Sequence, residues 1–200
     1  MHIAIIGAGV GGVTTALALT RRGHAVSVYE RTAEPAHMGA GIVVWPNASF
    51  VLNELGLLPA IAARSGRPKK MRRVSAEGED LGFLDITALD RRMGFPSYSI
   101  LRRDLQSVLL DELSRLGVDV HYRHAVSSIE TGDHGLARIH FQNGLQLQPE
   151  LIIGADGRMH SPARQFVHGN NTPIYQGFIN WIGVCETERA LVDEIAVQDT

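Results

Sequence analysis

The sequence predicts an α/β fold with antiparallel pieces inserted between parallel strands, and three observations carry that expectation. A short apolar run ending in glycine opens the chain. A helical stretch and an alternating strand follow, together a βαβ unit of about 30 residues. A second buried run, Ile152-Ile153-Gly154-Ala155-Asp156-Gly157, comes after a series of alternating segments broken by turn signals.

Each element follows from its local pattern. His2 to Ile6 is apolar and stops at glycine, as a buried strand does. Val10 to Arg22 places Val13, Leu17 and Thr20 on one face of a helix that Gly23 ends. Ala25 to Glu30, AVSVYE, alternates as a second strand. Gly39 to Val44 is a glycine-rich extended piece, and a helix from Pro46 to the region of Leu55 follows it. Lys69 to Asp85 alternates weakly around Gly78, the pattern of a half-exposed hairpin. Leu101 to Leu116 carries Leu105, Leu109, Leu113 and Leu116 at helical spacing, and Gly117 stops it. Val118 to Tyr122 is the next strand. Ala125 to Leu147, with its DHG and QNG turns, reads as an antiparallel meander. Glu150 to Ile153 is the last buried strand, and Tyr175 to Glu186 is expected to be a strand of a separate, more aromatic layer.

Composition narrows the class. The chain has 200 residues, 44% hydrophobic and 20% charged, which is enough to bury a core and excludes a disordered tail. A single cysteine, Cys185, forms no internal disulfide, so a reducing compartment is expected. The formal charge of −2 argues against a general nucleic-acid binder. No apolar run reaches the roughly 18 residues of a membrane span, and the apolar start lacks a basic leader. A cytoplasmic address is expected. Of 19 basic residues, only Lys69 and Lys70 are lysines, and arginine suits phosphate contacts.

The strongest chemical signal is Gly7, Gly9 and Gly12 in a GxGxxG frame that follows a strand and opens a helix. Gly7 allows the tight turn, Gly9 lets the backbone approach a pyrophosphate, and Gly12 lets helix and strand pack closely. Glu30, at the end of the second strand, supplies a carboxylate for both ribose hydroxyls. An acid there favours an unphosphorylated ribose, hence FAD or NAD over NADP. Asp156, at the end of the last buried strand, either takes a ribityl hydroxyl or fixes its turn by accepting from nearby N–H groups.

Other features have plainer readings. His121 and His124, three apart in a strand, are expected on opposite faces, so no metal site is expected. Arg67 to Arg73, RPKKMRR, reads as a solvated edge strand. Trp45 and Trp181 read as core residues, the latter with an aromatic pocket as its alternative. No GxSxG nucleophile elbow occurs, and no catalytic residue is identified.

Taken in order, GAGVGG, the YER ending the second strand, GAGIVVWPN, ILRRDLQ, IIGADGRMHSPAR and YQGFINWIGV resemble the single-component FAD-dependent aromatic monooxygenases. These are the para-hydroxybenzoate hydroxylase class, and the likeness is greatest to its salicylate and urate hydroxylase-like branch. The resemblance covers essentially the whole chain but only the N-terminal half of the family's proteins. It implies a Rossmann-like FAD-binding domain with a parallel sheet and antiparallel meander, plus part of a substrate-binding β-sheet layer. The implied division is residues 1–67 with 101–170 for FAD, and 68–100 with 171–200 for the partial substrate sheet.

The resemblance also implies roles. Gly7, Gly9, Gly11 and Gly12 would line the pyrophosphate, and Glu30 and Arg31 would hold the adenosine end. The backbone at Val43 would run beside the ribityl chain, and Arg102 matches a flavin-contacting arginine. The backbone of Val126 would face the adenine. The Asp156 segment would serve FAD and the passing NADH or NADPH, although its spacing to Ser161 and Arg164 is one residue longer than the family's DGxxSxxR. Ser161 reads as the cap of a following helix with Pro162 in its first turn. The implied reaction is reduction of FAD by NAD(P)H, addition of molecular oxygen at flavin C4a and hydroxylation of a small aromatic or heteroaromatic substrate. Half of the family pattern is unmatched, so one of two partners is expected: a complementing C-terminal half, or a second copy of the chain recruited by an unpaired sheet edge. The alternatives are a non-catalytic FAD- or NAD-binding remnant, half of a split enzyme, or an FAD dehydrogenase without oxygen insertion.

Overall fold

Apolar runs and glycine stops become a succession of short elements. In chain order they are β1 (His2–Ile6), α1 (Val10–Thr20), β2 (Ala25–Tyr29), β3 (Gly41–Val44), α2 (Pro46–Glu54) and α3 (Leu58–Ala62). Next come β4 (Lys70–Val74), β5 (Asp80–Asp85), α4 (Ile86–Met93), β6 (Tyr98–Leu101), α5 (Arg102–Arg115) and β7 (Val120–His121). The last are β8 (Val126–Thr131), β9 (Ala137–Phe141), β10 (Gln146–Leu147), β11 (Leu151–Gly154), α6 (Pro162–His168) and β12 (Ile195–Gln198). This is a computed structural model, and it describes residues 1–35, 40–132, 135–169, 172–177, 179, 182–184 and 186, with the backbone of 195–198. The chain forms two units, 1–37 with 106–180 and 38–105 with 181–200.

The first unit is built on a parallel sheet in the order β11-β1-β2-β7. Strand alternation decides what each face meets. Ala4 and Ile6 share a core with Tyr29, Ile139 and Phe141, and Val126, Ile129, Leu147 and Ile152 pack against it. The antiparallel meander β8-β9-β10 therefore closes one face of the sheet. Ile3 and Ile5 point to the other face and are fully buried, as are Val13, Ala16 and Leu17 of α1, which packs on β1 and β2. Each such Ile, Val or Leu side chain contributes about 1.5–3 kcal/mol by leaving water.

A charged clamp joins α1 to α5: Arg21 donates to Glu112 at 2.6 Å, and Arg115 donates to the same carboxylate at 2.7 and 2.8 Å. The hydrogen bond from Arg115, aided by the one from Arg21 and opposed by burial, lowers the Glu112 carboxyl to a pKa of about 2.

The second unit pairs β3 with β6 in antiparallel register, Val43 opposite Ser99. A separate sheet runs β12-β4-β5, parallel between β12 and β4 and antiparallel between β4 and β5. The β4–β5 turn holds Gly78 at φ +89°, as the hairpin reading requires. Helix α4 starts where Asp85 accepts from the Ala88 N–H at 2.9 Å and ends at left-handed Gly94, with Arg91 and Arg92 in its last turn.

Four expectations change. The basic segment at Arg67–Arg73 is no edge strand, because β12 arrives from far along the chain and leaves β4 between two partners. His121 and His124 do not take opposite faces: Arg123 adopts φ +59°, the chain turns, and both rings gather around Tyr29 at 5.0 and 5.7 Å. Their own centroids are 5.8 Å apart. The described residues of 175–186 carry no strand, and Tyr175, Ile179, Ile182 and Val184 are exposed. Helices α3 and α4 and strand β6 add to the elements expected. Trp45 is half-buried just before α2, whereas Gly39, Asp133, His134, Trp181 and Cys185 lie outside the described residues. Among the described residues no helix is long and apolar enough to cross a membrane.

Candidate functional site

The carboxyl end of the parallel sheet gathers most of the expected site residues, because β1, β2 and β11 all run toward it. At the end of β1 the chain must turn sharply into α1. Gly7 does so at φ +101°, where a Cβ would also lie 2.3 Å from the Ala155 carbonyl oxygen. Gly12 lies so close beneath the turn that a Cβ would come 1.9 Å from the Gly7 carbonyl oxygen. Any side chain at either position displaces backbone.

Gly9 and Gly11 are different. A Cβ at either would meet nothing within 4 Å. Gly9 is the residue preceding α1, it offers no side-chain cap, and the first turn of α1 holds no acidic residue. No side chain therefore caps the leading N–H groups of this 11-residue helix, which carry the positive end of the helix dipole. Such a cradle suits a diphosphate.

Glu30 is held beside this turn. Its carboxylate accepts from the Ala8 N–H at 2.8 Å and from the Thr32 N–H at 3.0 Å. Two of its lone-pair directions are thus fixed, and the others remain for further donors such as ribose hydroxyls. Its backbone is fixed too, donating to His121 O at 2.9 Å and accepting from His124 N–H at 2.8 Å. Burial first, and then the Glu30 charge, push the Tyr122 phenol above its usual pKa. Arg31 follows Glu30 and is exposed, and Val126 opens β8 half-buried, paired with Phe141.

Two residues here escaped the sequence reading. Ala8, only 2% exposed, gives its N–H to Glu30, while its carbonyl accepts from Gln106 Nε2 at 2.8 Å. Gln106 stands in the very segment ILRRDLQ that drew attention to Arg102, but the glutamine's partner lies 98 residues away.

The turn after β11 is organised from within. Asp156 accepts from Ser161 Oγ at 2.6 Å and from the Ala163 N–H at 3.1 Å. Ser161 Oγ in turn accepts from the Arg164 N–H at 3.0 Å, as an N-cap does, with Pro162 in the first turn. The Arg164 guanidinium donates to the Arg158 carbonyl at 2.9 Å and to that of Gly157 at 3.4 Å. Gly154 lies against Ala163, where a Cβ would meet the alanine Cβ at 2.4 Å.

Val43 and Arg102 belong to the second unit. Val43 is a half-buried strand residue, and Arg102 is exposed at the start of α5, its N–H donating to Ala40 O at 3.1 Å. Among the described residues no group of three His, Cys, Asp or Glu side chains could hold a metal ion.

Comparison with known proteins identifies the family. Residues 1–195 match the FAD binding domain family. The chain is 32% identical over 197 residues to the FAD-dependent urate hydroxylase of Mycolicibacterium vanbaalenii, covering 96% of this chain and 48% of that protein. It is 33% identical over 190 residues to the 3-amino-4-hydroxybenzoate 2-monooxygenase PtmB3 of Streptomyces platensis, covering 94% and 47%. Among solved structures, Klebsiella pneumoniae HpxO complexed with FAD and uric acid matches with a TM-score of 0.72 and 30% identity, over 82% of this chain and 41% of that one. The chain spans about half the length of the curated relatives it matches.

Proposed function

The chain belongs to the FAD binding domain family, and from that premise we propose that it is the cofactor-carrying half of a flavoprotein monooxygenase. The proposed reaction consumes NADH or NADPH and molecular oxygen and hydroxylates a small aromatic or heteroaromatic ring. One observation carries the reading: a helix amino end without a side-chain cap, behind an open Gly9, with a pre-oriented carboxylate at its side.

Within this reading Gly7 and Gly12 shape the turn, and the backbone at Gly9 and Gly11 lines the diphosphate. Glu30 accepts from the ribose hydroxyls, and Arg31 and the Val126 backbone bound the adenosine end. Val43 and Arg102 serve the ribityl and flavin portion, and Asp156 adds a ribityl contact to its observed role of fixing its own turn. The redox chemistry, hydride acceptance and oxygen activation, is the flavin's own. The chain's residues bind and orient it.

The domain division follows the same reading. The pairing of β12 with β4 supports grouping 195–198 with 68–100 as part of a substrate sheet, although the compact units divide elsewhere, with 38–67 joining 68–105 and 171–180 joining the first unit. A cytoplasmic address belongs to the proposal, as does a partner, either a complementing C-terminal half or a second copy.

Titration with FAD, followed by flavin absorbance and fluorescence, tests the binding. Saturable one-to-one uptake is expected, and no uptake would overturn the reading. Oxidation of NADH or NADPH, stimulated by a panel of phenols and purines and coupled to product hydroxylation, tests the reaction. It is expected in the complementing assembly, and cofactor uptake without any stimulated turnover would favour the binding-only alternative.

A further inference from the structure

We propose that Gln106 is a positioning residue for the dinucleotide diphosphate, acting through the Ala8–Gly9 peptide. The inference rests on the reading that the diphosphate lies at the start of α1, and it adds a residue that the glycine fingerprint does not contain.

Ala8 is the only non-glycine residue between Gly7 and Gly9, and both of its backbone polar groups are taken by side chains from other elements. Its N–H is held by the Glu30 carboxylate at the end of β2, at 2.8 Å. Its carbonyl is held by Gln106 Nε2 on α5, also at 2.8 Å. The chain contains no cis peptide among the described residues. In a planar trans peptide the C=O and the following N–H point in opposite directions. Fixing the Ala8 carbonyl toward α5 therefore fixes the Gly9 N–H away from α5.

Glycine at position 9 makes this restraint necessary. With φ −71° and ψ 177°, and no Cβ, Gly9 has other backbone conformations close in energy, so its peptide plane needs an external hold. Glu30 performs the same service for the preceding plane, the Gly7–Ala8 peptide, whose carbonyl is turned toward Gly12. One carboxylate and one amide thus set two consecutive peptide planes. Without Gln106 the buried Ala8 carbonyl loses its donor, and the turn samples orientations in which the Gly9 N–H no longer faces an anion.

The test uses the full chain and two probes, FAD and ADP, which share the adenosine diphosphate portion. Gln106→Leu removes the donor, and FAD and ADP are expected to weaken by the same factor, about 3- to 10-fold. Gln106→Glu adds a pH readout that loss of packing would not move. Its introduced carboxyl repels the Ala8 carbonyl when ionised and donates to it when protonated. The ratio of its FAD dissociation constant to that of the unaltered chain is expected to stay at about tenfold from pH 8 to pH 6 and to fall toward about twofold as the pH drops through the carboxyl's own titration, about 4.3 for an unperturbed glutamate. Should Gln106→Leu fail to fold, Gln106→Glu carries the test alone. Unchanged affinity in both variants overturns the proposal. So does a loss for FAD without a loss for ADP, which would place Gln106 against the flavin portion. Failure of the unaltered chain to bind either probe would instead bring down the underlying site reading.

Discussion

Two glycine turns stand side by side at the carboxyl end of the sheet, one after β1 and one after β11, and they solve the start of a helix in opposite ways. The strands are paired in parallel register, and the turns touch, since a Cβ on Gly7 would strike Ala155. The first turn leaves the N–H groups of α1 without a side-chain cap, whereas in the second Ser161 and Asp156 cap α6 from within the chain. The contrast teaches where an external anion is needed. Helix α6 has already satisfied its amino end, and α1 keeps its own for a ligand.

Substitutions at the first turn should break this comparison most severely. Gly12→Ala places a methyl 1.9 Å from the Gly7 carbonyl oxygen, a backbone atom that cannot yield cheaply. FAD affinity should fall by at least about 100-fold, with a clear drop in thermal midpoint, as expected when a special backbone site is overfilled. Glu30→Gln should weaken FAD by about 10- to 100-fold, the range for hydrogen bonds to a charged group. Gly9→Ala sharpens the point, because its methyl meets no protein atom. That variant should fold normally and still bind FAD about 10-fold more weakly, as one lost close contact of roughly 1.4 kcal/mol would give.

The second turn should behave in the reverse sense. Ser161→Ala removes the cap of α6 and should cost about 1 kcal/mol of stability. FAD affinity measured on the same sample should fall by no more than about threefold, through the Asp156 carboxylate that Ser161 orients, since α6 offers the ligand no free amino end. A large affinity loss there would erase the distinction between the turns.

The smallest effect concerns the far side of α1. Glu112 has its carboxyl pKa held at about 2, below the usual 4.5, by Arg115 and Arg21. A lowered carboxyl pKa stabilises the fold above about pH 4.5, and this contribution fades as pH falls toward 2. Glu112→Gln should therefore lower the thermal midpoint at pH 7 by the equivalent of about 1 kcal/mol and flatten its decline below pH 4.5. FAD binding should not change.

What could be read from the sequence was local. Gly7, Gly12 and Glu30 declare themselves because the turn, the close packing and the acid at the strand end all lie within one βαβ unit. The cap formed by Ser161 and Pro162 was equally plain. Two of the readings that failed depended on a distant partner or on one unusual torsion. Nothing near RPKKMRR signals that β12 will pair with it. Nothing in HYRH announces that Arg123 will take φ +59° and bring both histidines to Tyr29. The hold of Gln106 on Ala8 spans 98 residues, so a periodicity argument could place the glutamine on a helix but not against the glycine turn.

The central claim is that an external diphosphate occupies the amino end of α1 and leaves that of α6 alone. Backbone-amide NMR of the labelled chain titrated with FAD tests it residue by residue. The N–H resonances of Gly9, Val10, Gly11 and Gly12 should move together along one saturable isotherm while those of Ala163 and Arg164 stay in place. Movement at Ala163 and Arg164, with Gly9 to Gly12 unmoved, would contradict it.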